Sequence, residues 1–321
     1  MRLKVKLLVL CLSVLLMQST VGGAVPAKTD QSPKSGIEYR VIHFPQNRSL
    51  GTVSITTPIN GVIYPSAVWR RWANAYREVR VPVGTFVRLA VPQSDHDVVI
   101  ALKTIKPDNA IQSLELGGAG FKSNDWQYIQ HLTDLRALDL SADDISDQSV
   151  SNVKYFPNLQ MLHLSRTNVG DAALKPISML HQLRTLNLDN DRIDDQGMMH
   201  LAKLSRLARL DLNNNNVCDG IRCILDKPLY GLNLNGTKAN DDVVKMIASK
   251  KPPLNYLFLH YCKITDKCVP YIGKLQTLKF LNVEDTPLSQ PALQEIGRML
   301  PQCRVVAGAS GQTKEYRKMA H

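Results

Sequence analysis

The chain has no Cys-x-x-Cys pair, so its six cysteines lack the ligand spacing of a structural zinc site. His-Glu-x-x-His, a glycine-rich phosphate loop and a Gly-x-Ser-x-Gly elbow are all absent, and the eight histidines are scattered. No loop carries the dense oxygen ligands of a calcium hand. The chain is therefore read as non-enzymatic, with no cofactor and no metal. Long apolar runs are also missing. Leu7–Met17 spans 11 residues, well short of the ~20 that a membrane-crossing helix needs.

That short run has its own meaning. Arg2, Lys4 and Lys6 precede it, and Gly22 and Ala24 follow as a small-x-small cleavage site. Residues 1–24 are read as a cleavable export signal, with an uncleaved anchor as the alternative. The mature protein is then expected in the periplasm, in the cell envelope or secreted. Residues 25–36, rich in Pro, Lys, Ser and Gly, read as a linker.

From Ile111 to Leu300 one pattern recurs eight times. Its copies begin at Ile111, Leu135, Leu159, Leu183, Leu207, Leu229, Leu254 and Leu278, at spacings of 24, 24, 24, 24, 22, 25 and 24 residues. Leu186 and Leu188 alternate with polar residues, as in a strand with one buried face. Met198, Leu201 and Leu204 recur at steps of three, which suits one stripe of a helix. One copy is thus a strand, a polar turn and a returning helix. A single copy cannot bury both apolar faces, whereas a stack can, with its strands aligned as a parallel sheet. Asp147, Asp171, Asp195, Asp219, Asp241 and Asp266 recur where each helix should begin, which predicts capping of the helix N-terminus.

The repeats read Leu159-Leu162-Leu164-Thr167-Val169-Asp171 and Leu254-Leu257-Leu259-Cys262-Ile264-Asp266. This pattern resembles the leucine-rich repeat family, in particular its ribonuclease-inhibitor-like branch. The ninth position, Asn or Cys in that family, holds Asp143, Thr167, Asp191, Asn215, Thr237, Cys262 and Thr286 here, and Ala119 in the first copy. The resemblance implies an α/β leucine-rich-repeat solenoid, a horseshoe with a parallel concave sheet and convex helices. It covers residues 111–306, eight copies and a ninth strand at Cys303–Val306, and specifies fold far better than function.

Residues 37–110 fall outside the register. Tyr39–Phe44, Gly51–Ile55 and Glu78–Leu89 read as strands, with a turn at Val81–Gly84 and a partial helix from Val98 to Ile105. They are read as a small β-rich cap covering the apolar end of the stack. Exported bacterial members of the family often carry such a segment, and this chain is similar. Residues 307–321 are polar and basic and are read as a disordered tail.

The net charge of +11 does not point to nucleic acid. Residues 111–300 hold 21 basic and 21 acidic side chains, so the repeats are neutral, and no nucleic-acid partner is expected. The one basic-aromatic cluster, Arg70, Arg71, Arg77 and Arg80 with Trp69, Trp72 and Tyr76, reads as a solvated edge. A cell-surface polyanion is the alternative partner for it. Signal cleavage leaves Cys218, Cys223, Cys262, Cys268 and Cys303, an odd number. Cys218 and Cys223 lie in the shortened copy, where a loop could replace the helix and a local bridge could form.

Function is sought on the concave face, at the second, third, fifth, seventh and eighth positions of each copy. Early copies place small or polar residues there, among them Ser113, Glu115, Ala137, Asp139, His163, Asn187 and Asp211. The last three copies place Tyr230, Tyr256, Phe258, His260, Tyr261 and Phe280 there. Exposed aromatic clusters are frequent binding hot spots, and these six are the candidate ligand-binding residues. Phe280 should lie beside Tyr256, one strand over. His163, His260 and Asp139 are the face's candidates for acid–base work, and each is read as a contact residue. The leading reading is an exported recognition module for a protein or peptide. One alternative is a substrate adaptor resembling the F-box leucine-rich-repeat proteins of ubiquitin ligases, although no F-box helices precede the repeats. The other is a structural component of the envelope.

Overall fold

The computed structural model describes residues 36–63, 67–106, 111–309 and 313–316. The export signal, residues 25–35 of the linker and residues 317–321 of the tail lie outside the described residues. The chain divides into two compact units, one formed by the residues up to Ile145 with Lys154–Leu162, the other by Ser146–Val153 and the residues from His163 onward.

The first unit opens with β1 (Tyr39–His43), β2 (Thr52–Thr56), β3 (Arg70–Asn74), β4 (Glu78–Pro82) and β5 (Phe86–Ala90). β1 and β4 pair antiparallel as a separate small sheet. β2 pairs antiparallel with both β3 and β5. β5 then pairs parallel with β6 (Ser113–Glu115), and β6 with β7 (Ala137–Asp139). The strands expected to form a separate cap therefore extend the repeat sheet itself. Two turns of helix, His96–Ala101 and then the 3-10 segment Leu102–Thr104, fall where the partial helix was expected. β3 was missed because Arg70 and Arg71 break the alternation of an edge strand, which needs only one covered side.

After β8 (Met161–His163), the second unit continues with β9 (Thr185–Asn187), β10 (Arg209–Asp211), β11 (Gly231–Asn233), β12 (Tyr256–Phe258), β13 (Phe280–Asn282) and β14 (Arg304–Ala307). β9 to β14 are parallel neighbours in perfect repeat register, with Leu186, Leu210, Leu232, Leu257, Leu281 and Val305 side by side. All six of these side chains are buried. β15 (Lys314–Tyr316) adds antiparallel to β14. Residues 314–316 thus form a strand where a disordered tail was expected. Tyr316 fixes it by donating its hydroxyl to Gln290 Oε1 at 2.9 Å. Each unit shows the leucine-rich-repeat plan, an α/β arrangement of short parallel strands and returning helical segments.

The returning segments are shorter and tighter than the stripe suggested. Asp195–Met198 is α-helical, but Met199–Lys203 is a 3-10 helix. Three residues per turn is the 3-10 period, which is why Met198, Leu201 and Leu204 at steps of three are all fully buried. The shortened copy carries a 3-10 helix too, Asp219–Ile224, in place of a loop. Cys218 and Cys223 flank or join it as free thiols. The local bridge does not form because the sulfurs donate to different carbonyls, Cys218 to Lys238 at 3.3 Å and Cys223 to Met198 at 2.8 Å.

The recurring aspartates occupy the first helical residue, but most serve the next copy. Asp171 Oδ1 accepts the N–H of Asp194 at 2.9 Å, Asp241 Oδ1 that of Thr265 at 2.7 Å and Asp266 Oδ1 that of Ser289 at 2.8 Å. Asp195 Oδ1 takes two, from Cys218 and Gly220. Where a side chain caps the helix it sits one place earlier, as with Asp194, Asn240, Thr265 and Ser289. The expectation of own-helix capping is corrected accordingly: the carboxylates staple one copy to the next.

Candidate binding face

The eighth position of every copy is left-handed. Gly118, Ala142, Arg166, Asn190, Asn214, Gly236, Tyr261 and Asp285 all have φ between 51° and 72°. Each follows the last residue of its strand by three, where the chain turns away from the strand direction. The fifth position closes the same turn. Asp139, Asn187, Asp211, Asn233 and Asn282 each accept the backbone N–H two residues on, at 2.8–3.1 Å. Asp139 is thereby a turn residue, and the Asx pattern, legible in the sequence once the register is known, went unread.

In the second unit the aromatic residues come together in pairs. Tyr230 and Tyr256 meet edge to face, with ring centroids 6.5 Å apart. Phe258 and Phe280 meet at 5.2 Å, across the diagonal of two neighbouring strands. His260 and Tyr261 meet at 4.2 Å. Tyr256 lies opposite Phe280 in register, as the repeat spacing predicted. Exposure separates the six. Tyr261 is 61% exposed and Tyr256 36%, while Tyr230, Phe258 and His260 are half-buried. Phe280 is only 7% exposed. It is covered by Phe258 on one side and by the Arg304 guanidinium, 5.8 Å from its centroid, on the other. Phe280 is therefore a support beneath the face, not an exposed contact.

His260 is held rather than poised. Its Nδ1 lies 3.1 Å from the Glu284 carbonyl and 3.5 Å from Asp285 Oδ2. Glu284 is itself buried, accepting from Asn282 Nδ2 at 3.0 Å and from the Thr313 hydroxyl. The thiols offer no nucleophile here: burial pushes Cys262 up to about 11 and Cys268 and Cys303 up to about 12. Among the described residues no group of three or more His, Cys, Asp and Glu side chains is placed to hold a metal ion. Nor is any described helix long and apolar enough to cross a membrane.

The first unit's own face is covered by its own chain. Ile63, Ala137 and Met161 pack as a buried cluster with Trp69 and Phe86 against them. Gln160 Oε1 accepts the Ile63 N–H at 2.9 Å, and Arg136 Nη1 donates to the Gly61 carbonyl at 2.8 Å. Arg88, paired with Glu115 at 2.9 Å, lies under the Trp69 ring. Sequence reasoning missed this cover because residues 59–63 carry no strand or helix pattern. The basic-aromatic cluster runs from Trp69 through β3 and the connection at Tyr76 and Arg77 into β4. Arg70 stacks on Trp72 at 4.9 Å, Arg77 on Tyr76 at 5.0 Å, and Trp72 Nε1 donates to the Arg80 carbonyl at 2.6 Å. Two of the four guanidiniums thus rest on the chain's own rings.

The fold is an α/β leucine-rich-repeat fold. Among solved structures the chain is similar to an internalin of Listeria monocytogenes (inlF), at 22% sequence identity and a TM-score of 0.51, over 68% of this chain and 66% of that one. It is also similar to internalin C2 of the same species, at 22% identity and a TM-score of 0.48, over 62% of this chain and 81% of that one. Internalins are leucine-rich-repeat proteins, and the first of these likenesses supports the fold. The chain spans just under two thirds of the first structure's length. No protein-family model matches the chain, and no curated protein matches it.

Proposed function

We propose that this chain is a non-enzymatic recognition module that binds a protein or peptide through the open sheet face of its second unit. One observation carries the reading: Tyr256 and Phe258 of β12, with Tyr230 just before β11 and Tyr261 just after β12, form an aromatic group in which no residue is fully buried. Aromatic side chains so placed gain most from being covered by a partner. Phe280 contributes as the floor under Phe258. The cover over the first unit's face favours the second unit as the place of contact.

Export of the protein is part of the proposal. It rests on the basic start, the short apolar run and the small-residue site at Gly22 and Ala24. Amino-terminal sequencing of the native protein tests it, with Val25 the expected first residue and an intact Met1 the result against it.

The binding reading is tested by pull-down from the native cell envelope and exported fraction. Wild type is compared with Tyr256→Ala/Phe258→Ala, both verified as folded. A partner retained by wild type and lost by the variant supports the reading. Equal retention by both would move the contact away from this face.

A further inference from the structure

We propose that the partner of this face is an acidic protein segment in which two carboxylates flank an apolar side chain at alternate positions of an extended strand. The inference rests on the peptide-binding reading above and adds the chemistry of the ligand.

The face's own acids are already engaged. Asp211 accepts from the Asn213 N–H at 3.1 Å and from Asn233 Nδ2 at 3.0 Å, and burial pushes its carboxyl up to about 6. Asp189 accepts from the side-chain amides of Asn190 and Asn213. Glu284 accepts from Asn282 and Thr313, and Asp285 lies beside His260. The cations at the opposite ends of the strands differ. Arg304 pairs with Glu315, but Arg184, Arg209 and Lys279 have no carboxylate within 4 Å among the described residues. The negative groups of the face thus have partners within the fold, while the three cations lack a close carboxylate, the Arg209 charge acting on Asp211 only from beyond 4 Å.

Arg209 is also held in place. Its aliphatic stem lies over Gly231, where an added Cβ would stand 3.5 Å from Arg209 Cγ. The Arg209 charge acts on the Tyr230 hydroxyl, and the Tyr230 ring in turn meets Tyr256 at 6.5 Å. A cation whose stem is packed over Gly231 loses less freedom on meeting a carboxylate, and the bond to a charged partner is worth more than a neutral one.

The spacing then reads out a ligand. Arg209 is on β10, and Lys279 immediately precedes β13, three strand steps away. At ~4.8 Å per step the two cations stand on strands ~14 Å apart. An extended peptide laid across the strands advances ~3.3 Å per residue and turns alternate side chains to the face. Residues i, i+2 and i+4 then fall at roughly 0, 7 and 13 Å. Carboxylates at i and i+4 meet Arg209 and Lys279, and an apolar side chain at i+2 lands between Tyr230 and Tyr256. A phosphate polymer fits less well, because its continuous charge would be driven against Asp189 and Asp285 on the same face.

The test uses the full chain, immobilised, and a phage-displayed library of random dodecapeptides as probe. Four proteins are compared, each confirmed folded by its thermal transition: wild type, Tyr256→Ala/Phe258→Ala, Arg209→Gln/Lys279→Gln and Arg209→Glu/Lys279→Glu. Wild type is expected to enrich acidic-x-apolar-x-acidic peptides at least tenfold over the aromatic variant. The glutamine variant should lose that enrichment, and the glutamate variant should select Lys or Arg at the flanking positions. Enrichment of apolar peptides without paired carboxylates, or full enrichment by the glutamine variant, would overturn the acidic assignment and leave the binding face standing. No enrichment by wild type over the aromatic variant would overturn both.

Discussion

Asp195 Oδ1 accepts the backbone N–H of Cys218 at 2.7 Å and that of Gly220 at 2.9 Å, so one carboxylate ties the start of its own helix to the start of the next copy's helical segment. Gly220 is required by this arrangement, since a Cβ there would stand 2.7 Å from the same oxygen. Two N–H groups lose their acceptor if the side chain is removed. Asp195→Ala is therefore expected to cost about 2–3 kcal/mol, and Asp195→Asn, which keeps one acceptor oxygen, about half of that. Urea denaturation at neutral pH measures both. A cost of only a few tenths for the alanine would mean that the carboxylate serves the helix dipole alone.

Stability should fall as pH rises through neutrality. Asp143 and Asp191 occupy the buried ninth position, and burial pushes each carboxyl up to about 7 despite backbone N–H donors that pull the other way. In both, Oδ2 is buried without a hydrogen-bond partner. Asn215, at the same position in the next copy, instead donates its amide to the Leu188 carbonyl at 2.6 Å and the Leu212 carbonyl at 3.2 Å. Only a protonated aspartate can imitate that. The folded pKa lies above the unfolded value of about 3.9, so the contribution is complete below pH ~4 and is lost as pH climbs through ~7. Asp191→Asn should stabilise the protein by about 1–3 kcal/mol at pH 8 and change it little at pH 5. Chemical denaturation at the two pH values decides, and equal effects at both would contradict the protonated state.

Much of the fold was legible because the leucine spacing leaves one solution. Leu186 and Leu188, two residues apart and so on one face, are both fully buried, while Asn187 between them is half-buried, as strand alternation demands. The seam between the opening strands and the repeats was not legible: β5 joins β6 by backbone pairing and the Arg88–Glu115 ion pair, and Phe86–Ala90 shares no repeat motif with Ser113–Glu115. At the face, sequence position gave the row of each aromatic residue but not its depth. Phe280 follows the same register rule as Tyr256, yet it is buried because Phe258 reaches it diagonally and Arg304 closes over it. The tail strand was hidden by its polarity, since Lys314 and Glu315 suggest water, although Glu315 pairs with Arg304 and Tyr316 bonds to Gln290.

Tyr261 is held at φ 58° with 61% of its surface exposed, at a position where neighbouring copies use Asn190, Asn214 and Gly236. A bulky residue in the left-handed region costs about 1 kcal/mol, and glycine carries no such cost. The ring's aromatic contact in return is with His260. Tyr261→Gly should therefore leave stability unchanged or raise it by about 0.5–1 kcal/mol, while weakening capture of the partner. Thermal denaturation and the envelope pull-down are read together. A variant that is less stable, with capture intact, would make the ring a structural element and remove it from the binding face.

The cover on the first unit's face is predicted to depend on two side chains. Gln160 accepts from the Ile63 N–H and donates to the Gly61 carbonyl, and Arg136 donates to that same carbonyl while stacking on Phe86. Few other described backbone bonds tie residues 59–63 to the sheet, apart from the local Val62 N–H to Ile59 bond within the turn. Gln160→Ala/Arg136→Ala should release the segment without unfolding the repeats, because Leu138 and Leu162 beneath remain buried. Hydrogen exchange of the Ile63 amide reports the release directly, with protection expected to drop by at least tenfold, about 1.4 kcal/mol, while the Leu138 amide stays protected. Unchanged protection at Ile63 would mean that the apolar cluster of Ile63, Ala137 and Met161 holds the segment on its own.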